Sequence, residues 1–510
     1  MNAAAGDPFA GLRPAAFWRH LETLIAIPRA THEEERAAAH VVAWARVRGY
    51  GTRRDAAGNL VVRVPATRGR ERAPTVILQG HLDIVCERDP DSPYDPRAGR
   101  IHVVREGEWL RADGTTLGAD NGVAIAAMLA LVEDGAAAHG PLELLMTVRE
   151  EIGMAGAAEL DPALISGSVL LNLDSEEDAT LTVGCAGGAD TLVRFEAARV
   201  PVGPGEVACR VSVGGGRGGH SGGDIAAGRS NAIKLLARAL STAPGLRIAS
   251  LDGGASRNAI PRDAAATVVV AAGDADRIAA AGDAAAGAYR KTDPDVRIDV
   301  AAVGAADDRA GVAAADDRAG VAAADDAVVG AARPADAWTA EASARILDLV
   351  AATPHGPLGM SADFPGVVET SSSLGVAATA DGRLTLTCLS RSANDALIPE
   401  VTGAIAAAAR LAGADVEPGR RYPGWLPDLG SPTLAAAKAV HERLFGSPPH
   451  VNLTHGGLEP AIIGARKPGL DMVSLGPRIE GPHAPGERLH VASAERFTRL
   501  LSALVDELSR

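Results

Sequence analysis

Apolar residues recur at helical spacing over residues 14–30, and Thr-His-Glu-Glu-Glu at 31–35 has the form of a capping box that opens a second helix. Residues 61–65 and 75–79 are short and rich in β-branched side chains, the pattern of strands. Behind a Gly-Ala-Asp-Asn-Gly turn at 118–122, residues 122–133 return to helical spacing. Residues 142–148 and 169–173 are nearly continuous apolar runs. Short apolar strands alternating with helices predict an α/β domain with a mixed, largely parallel sheet flanked by helices. The pattern changes after Cys-Ala-Gly-Gly at 185–188. Strand-like alternation at 207–213 and 265–270 surrounds one clear helix at 231–240, and residues 384–390 read as a further strand. From 396 onward helices and short strands return, ending in an amphipathic helix at 492–508. The expected organisation is one α/β domain built from residues 1–189 and 396–510, with an α+β domain inserted at 190–395.

Composition adds limits. The chain has 510 residues, 47% of them hydrophobic and only 3% aromatic, so a large core must be built from Val, Leu, Ile and Ala. The net charge of −14 argues against nucleic acid as a partner and against attraction to anionic lipid. Cys86, Cys185, Cys209 and Cys388 are widely spaced without a C-x-x-C pair, so reduced thiols in a cytoplasmic protein are expected. The first twenty residues lack a basic start followed by an apolar run, and no stretch is long and apolar enough for a membrane span, so neither a signal peptide nor membrane insertion is expected. Residues 305–327 repeat Ala-Ala-Asp-Asp-Arg-Ala-Gly-Val-Ala with a period of nine, which fits neither a heptad nor a Gly-rich calcium repeat. We read it as an acidic low-complexity expansion of a surface loop.

Metal-competent side chains concentrate in five segments. His81 and Asp83 stand two apart at a strand end and so share a side. Alone they fit a hydrogen-bonded pair equally well. Asp120 sits in a Gly-flanked turn before a helix, where it suits either an N-cap or a ligand presented at the open end of a sheet. Glu150 and Glu151 follow the apolar run 142–148, and adjacent carboxylates there are costly to bury without partners or a cation. Being neighbours, they point in different directions, so one can bind metal while the other faces a reacting water. Asp174 begins another acidic cluster after a strand, and His483 lies in a Pro/Gly-rich loop that ends at Glu487. Parallel strands deliver their C-terminal ends to one edge, so the segments reinforce one another. Two His and several carboxylates suit two zinc ions, with manganese or cobalt as alternatives, sharing a bridging carboxylate.

These motifs together resemble the aminoacyl-histidine dipeptidases, also called cytosol non-specific dipeptidases, a branch of the dizinc aminoacylase/carboxypeptidase-type metallopeptidases. The likeness runs through 79–85, 115–122, 150–154 and 172–177. It continues at Gly-Gly-His-Ser-Gly-Gly-Asp (218–224), Arg-Asn-Ala-Ile-Pro-Arg (257–262), Val-Glu-Thr-Ser (368–371), His-Gly-Gly-Leu-Glu (455–459) and Gly-Pro-His (481–483). It therefore covers nearly the whole chain in order. The chain departs from the family pattern at Pro460 and in the middle of 369–375.

The resemblance implies hydrolysis of unblocked dipeptides, aminoacyl-histidine compounds among them, by a catalytic domain carrying a lid that also dimerises. It implies His81 and Asp174 as ligands of one divalent ion, Glu151 and His483 of the other, and Asp120 as the bridge. Asp83 would orient His81, and Glu150 would be the general base. His220 would stabilise the oxyanion, within its own subunit or across a homodimer. Asn258 and Arg391 would hold substrate, and His455 would line the site beside Glu459. Deacylase, tripeptidase or carboxypeptidase activity, or a metal-binding protein without catalysis, remain the alternatives.

Overall fold

A computed structural model describes residues 7–135, 137–303 and 333–510, so the nine-residue repeats at 305–327 lie outside the described residues. The chain divides into two compact units, Met1–Cys185 with Pro423–Arg510, and Ala186–Tyr422. Among the described residues no helix is long and apolar enough to cross a membrane.

The first unit is built on an eight-stranded sheet in the order Gly51–Arg54, Leu60–Val64, Leu142–Thr147, Val76–His81, Val169–Asn172, Asp471–Ser474, Thr180–Cys185, His450–Thr454. Four central neighbours, Leu142–Thr147 to Asp471–Ser474, run parallel. The flanking Leu60–Val64 and Thr180–Cys185 pair with them antiparallel, which makes the sheet mixed as the pattern predicts. Leu142–Thr147 and Val76–His81 are buried at every position, the mark of a strand covered on both faces. Helix Ala119–Asp134 is buried without a break from Ala119 to Leu131, so it has no solvent stripe, and it packs against helix Ala15–Ile25 and strand Val76–His81. Gly80 permits that approach. A Cβ there would meet Asn121 Oδ1 at 2.3 Å and Ala124 Cβ at 2.6 Å.

The second unit carries an antiparallel sheet in the order Arg297–Ala302, Val207–Gly214, Ala264–Val270, Arg247–Gly253, Val368–Ala380, Arg383–Ser392, Gly187–Phe195, Asp415–Tyr422, with Gly356–Met360 paired beside Val368–Ala380. Val193, Val211, Val268, Leu374 and Leu386 from the sheet share one core with Leu236, Ile278, Ile346 and Ile405 from four helices. The chain leaves this unit only after Tyr422. Helix Ile398–Ala412 buries Val401, Ile405 and Ala409, and strand Asp415–Tyr422 adds an edge beside Gly187–Phe195. Periodicity identifies a helix near 398 but not which sheet it covers.

Gly80→Ala should overpack the junction of strand and helix and lower stability by about 1–3 kcal/mol. Denaturant unfolding of the metal-free protein measures it, and an unchanged midpoint would contradict the close approach described.

Candidate metal centre

The parallel strands decide what meets at the sheet edge. Val76–His81, Leu142–Thr147 and Val169–Asn172 end side by side, so His81 and Asp83, Glu150 and Glu151, and Asp174 emerge from adjacent strands. Asp120 arrives from the first turn of the buried helix. Asn121 ties that turn to the sheet, accepting from His81 N–H at 3.2 Å and donating to the Leu173 carbonyl at 3.0 Å.

Three groups of side chains bring ligand atoms within 4.8 Å of one another: His81, Asp120 and Asp174; Asp120, Glu151 and His483; and His81, Glu150 and Glu151. The first two share Asp120. Its Oδ1 lies 3.1 Å from His81 Nε2, and its Oδ2 lies 3.0 Å from His483 Nε2. Asp174 Oδ1 lies 3.5 Å from His81 Nε2, and Glu151 Oε2 lies 3.0 Å from His483 Nε2. One carboxylate thus faces both imidazoles, each with its own second carboxylate.

His81 Nδ1 lies 3.0 Å from the Asp83 carbonyl, which fixes a proton on Nδ1 and turns Nε2 toward Asp120 and Asp174. The Asp83 carboxylate is farther from that nitrogen, at 3.6 Å. It chiefly accepts from Glu150 N–H at 3.0 Å, Glu151 N–H at 3.2 Å and the Thr31 hydroxyl at 2.9 Å. Asp83 therefore orients the two glutamates at least as directly as it orients His81.

The charges of these side chains are unevenly balanced. Burial disfavours a charged His81, yet Asp174, Asp120 and Asp83 hold its pKa well above the histidine range. Hydrogen bonds donated to Asp120 and Glu151 push His483 up to about 11. Burial, with repulsion from Asp120 and Glu151 that His81 only partly offsets, raises Asp174 to about 6. Burial also raises Glu150 well above its usual range, with further repulsion from Asp174, Glu459 and Glu151. Glu151 Oε1 is buried with no hydrogen-bond partner. A donor set of imidazole nitrogens and carboxylate oxygens, an excess of buried negative charge and an orphaned carboxylate oxygen all fit divalent cations of the zinc, manganese or cobalt type. Proximity alone does not separate Glu150 from the ligands, because it belongs to the third group. Its surroundings do: no side-chain hydrogen bond or ion pair engages it among the described residues, whereas Asp120, Glu151 and Asp174 each face an imidazole.

A polar rung that the motifs do not predict runs beneath the centre. Thr147 and Gln79 donate to Glu459 Oε2 at 2.7 and 2.5 Å, Asn172 donates to Gln79 Oε1 at 2.7 Å, and the Ser474 hydroxyl donates to Asn172 at 2.5 Å. It crosses the four parallel strands. The signal available in sequence is an uncharged polar residue, Thr147, Gln79, Asn172 or Ser474, at or near the C-terminal end of each strand. His455 is buried in the loop between strand His450–Thr454 and helix Glu459–Arg466.

His220, Asn258 and Arg391 belong to the second unit and lie close together there. Gly219–His220 pairs with Ala259–Ile260, and Ser221 N–H donates to the Asn258 carbonyl at 2.8 Å. Arg391 donates to Ser221 Oγ at 3.4 Å and to the Tyr422 hydroxyl at 2.9 Å. Gly222 and Gly223 N–H both donate to His220 Nδ1 at 3.3 Å. An Nδ1 that accepts cannot carry a proton, so the proton sits on Nε2. Burial and the Arg391 charge lower the pKa of His220, against the pull of Asp224, and favour this neutral tautomer.

Comparison with known proteins follows the same lines. Residues 77–507 match the peptidase family M20/M25/M40. The chain is 36% identical over 506 residues to a cytosol non-specific dipeptidase of Escherichia coli, covering 98% of both proteins. It is similar to the crystal structure of an aminoacylhistidine dipeptidase from Vibrio alginolyticus, with a TM-score of 0.82, 34% identity and 98% of each chain covered. Aminopeptidase PepT from Bacillus cereus shares the fold, with a TM-score of 0.55 at 16% identity, over 98% of this chain and 100% of that one.

Asp120→Asn removes the charge that faces both imidazoles. It should lower the divalent metal retained after dialysis to less than half of the wild-type value, and elemental analysis showing full retention would contradict the shared position of Asp120.

Proposed function

The chain belongs to the peptidase family M20/M25/M40, and from that premise we propose that it is a metal-dependent dipeptidase. Its substrates are unblocked dipeptides, including aminoacyl-histidine dipeptides. Support comes from relatives named as dipeptidases that match the chain from end to end. The observation that carries the reading is Asp120, whose two oxygens face His81 and His483 separately and so join two ligand sets. We assign His81 and Asp174 to one divalent ion, Glu151 and His483 to the other, and Asp120 to both, with zinc as the preferred metal and manganese or cobalt as alternatives. When bound, such a pair supplies Lewis-acid polarisation and a water acidic enough to be deprotonated near neutral pH.

The remaining roles fall to the protein. Glu150 takes the proton of the attacking water on its carboxylate and returns it to the leaving amine. Asp83 holds the backbone at 150 and 151 and so aims that carboxylate. His220 donates from Nε2 to the oxyanion, and Gly222 and Gly223 keep that nitrogen protonated. Arg391, a planar fork, takes the free carboxylate of the dipeptide, with Asn258 on its backbone and His455 at the margin of the site. We place the protein in the cytoplasm as a homodimer formed through its second unit, which serves as the lid domain.

After chelation and reloading with zinc, manganese or cobalt, the protein should cleave free dipeptides in preference to N-acetyl amino acids and tripeptides. Preference for either of the latter would make it a deacylase or tripeptidase instead. Glu150→Gln should keep its metal and lose about 10²- to 10⁴-fold in kcat. Near-normal turnover by this variant would remove Glu150 as the base.

The tautomer of His220 gives an independent check. A Gln side chain can place an N–H near the position of Nε2, and an Asn side chain near that of Nδ1. His220→Gln should therefore keep clearly more activity than His220→Asn or His220→Ala, which should lose about 10²- to 10³-fold. Equal losses in all three would contradict donation from Nε2.

A further inference from the structure

Asp120 belongs to two ligand sets, yet it stands on the turn at the head of a helix. That turn is gripped on both sides by groups so far given no role. On the amide side lies Glu487. One of its carboxylate oxygens accepts from Leu117 and Gly118 N–H at 2.7 and 2.9 Å, and the other accepts from Ala119 and Asp120 N–H at 2.8 and 3.1 Å. On the carbonyl side lies Arg29. It donates to Gly118 O at 2.6 Å through Nη2 and to Leu82 O at 3.0 Å through Nη1. Arg29 is 0% exposed and Glu487 2%. Gly118 and Gly122 leave room for the guanidinium: a Cβ at either would come within 3.1 or 2.6 Å of Arg29 Nη2.

The pair also links the ligands in sequence. Glu487 follows His483 in the same loop, and Gly486 N–H donates to the Thr115 carbonyl at 3.0 Å, so this loop is bound to the Asp120 turn at more than one point. Arg29 connects the turn to the strand end that carries His81 and Asp83. A neutral Ser or Asn would cap a helix start without burying a charge. A carboxylate that engages four successive amides fixes the turn as a rigid body instead.

We propose that Arg29 and Glu487 are a positioning pair, which sets where Asp120 stands relative to His81 and His483 and thereby the spacing of the two cation positions, without touching either cation. This rests on the metal-dependent reading above. Glu487→Gln keeps the shape but turns an NH₂ group toward the amides, so about half of the bonds are lost. Titration of the chelated protein with Co²⁺ should show affinity weakened roughly 10- to 100-fold. The visible absorption of the Co²⁺-loaded variant should differ from wild type. With dipeptide, kcat should fall while KM stays near the wild-type value.

A variant with wild-type Co²⁺ affinity and spectrum that merely unfolds at lower temperature would overturn the proposal and leave the pair a structural tie. Should Glu487→Gln fail to fold, Glu487→Asp keeps the charge with a shorter reach and is read in the same way. A wild-type protein that takes up no Co²⁺ overturns the metal reading and this proposal together. One that binds Co²⁺ but cleaves no dipeptide overturns the substrate assignment alone, and the Co²⁺ affinities still decide the role of the pair.

Discussion

Negative charge that has nowhere to dissipate organises this protein. The side chains of Asp83, Asp120, Glu150, Glu151, Asp174 and Glu459 are held at or beneath one sheet edge, largely out of water, with His81 and His483 as the imidazoles set among them. Burial first, and repulsion between neighbouring carboxylates after it, raises the pKa of Glu150, Asp174 and Glu459. Burying such a cluster is costly for every carboxylate that lacks donors or a counter-charge. Asp83 and Glu459 have donors: backbone amides and the Thr31 hydroxyl for the first, Gln79 and Thr147 for the second. Asp120, Glu151 and Asp174 face imidazoles and converge in sets of three. The groups with fixed donors are the scaffold, and the groups left to converge are those a cation would satisfy.

Much of this was legible in the sequence because it depends on short-range rules. An acidic or imidazole side chain directly after an apolar run must lie at a strand end, and parallel strands place such ends together. That reasoning reaches His81, Glu150, Glu151 and Asp174 without reference to any relative. Asp120 is legible as a Gly-flanked helix start. Its placement facing two imidazoles is not, because His483 lies more than three hundred residues away in the chain. The roles of Glu487, Arg29 and the rung from Thr147 to Ser474 were hidden for a different reason. Each depends on contacts between segments far apart in the chain, as where Arg29 and Glu487 meet the turn at 117–120 and Asp471–Ser474 lies beside Val169–Asn172. Local pattern does not carry that information. The return of the chain to the first unit near 423 was equally hidden, since an amphipathic helix at 398–412 reads the same whichever sheet it covers.

Both units set side chains against backbone amides. In the first, side chains bind backbone: Asp83 on the amides of 150 and 151, Asn121 on the His81 amide, Glu487 on four amides of one turn. In the second, two glycine amides set the tautomer of His220, and Asp293 accepts from the amides of Arg217 and Ser230. Both devices fix orientation before any ligand arrives, which lowers the reorganisation needed at the moment of reaction.

Asp83 shows why this economy matters. Its carbonyl fixes the tautomer of His81, and its carboxylate fixes the backbone from which Glu150 and Glu151 diverge. One residue therefore couples a proposed ligand on one strand to the proposed base and a second ligand on the next. A shift of Asp83 would move the base and the ligands together, so their mutual geometry is better conserved than the position of any one of them. For a proton transfer to a fixed carboxylate, that relative geometry is the quantity that counts.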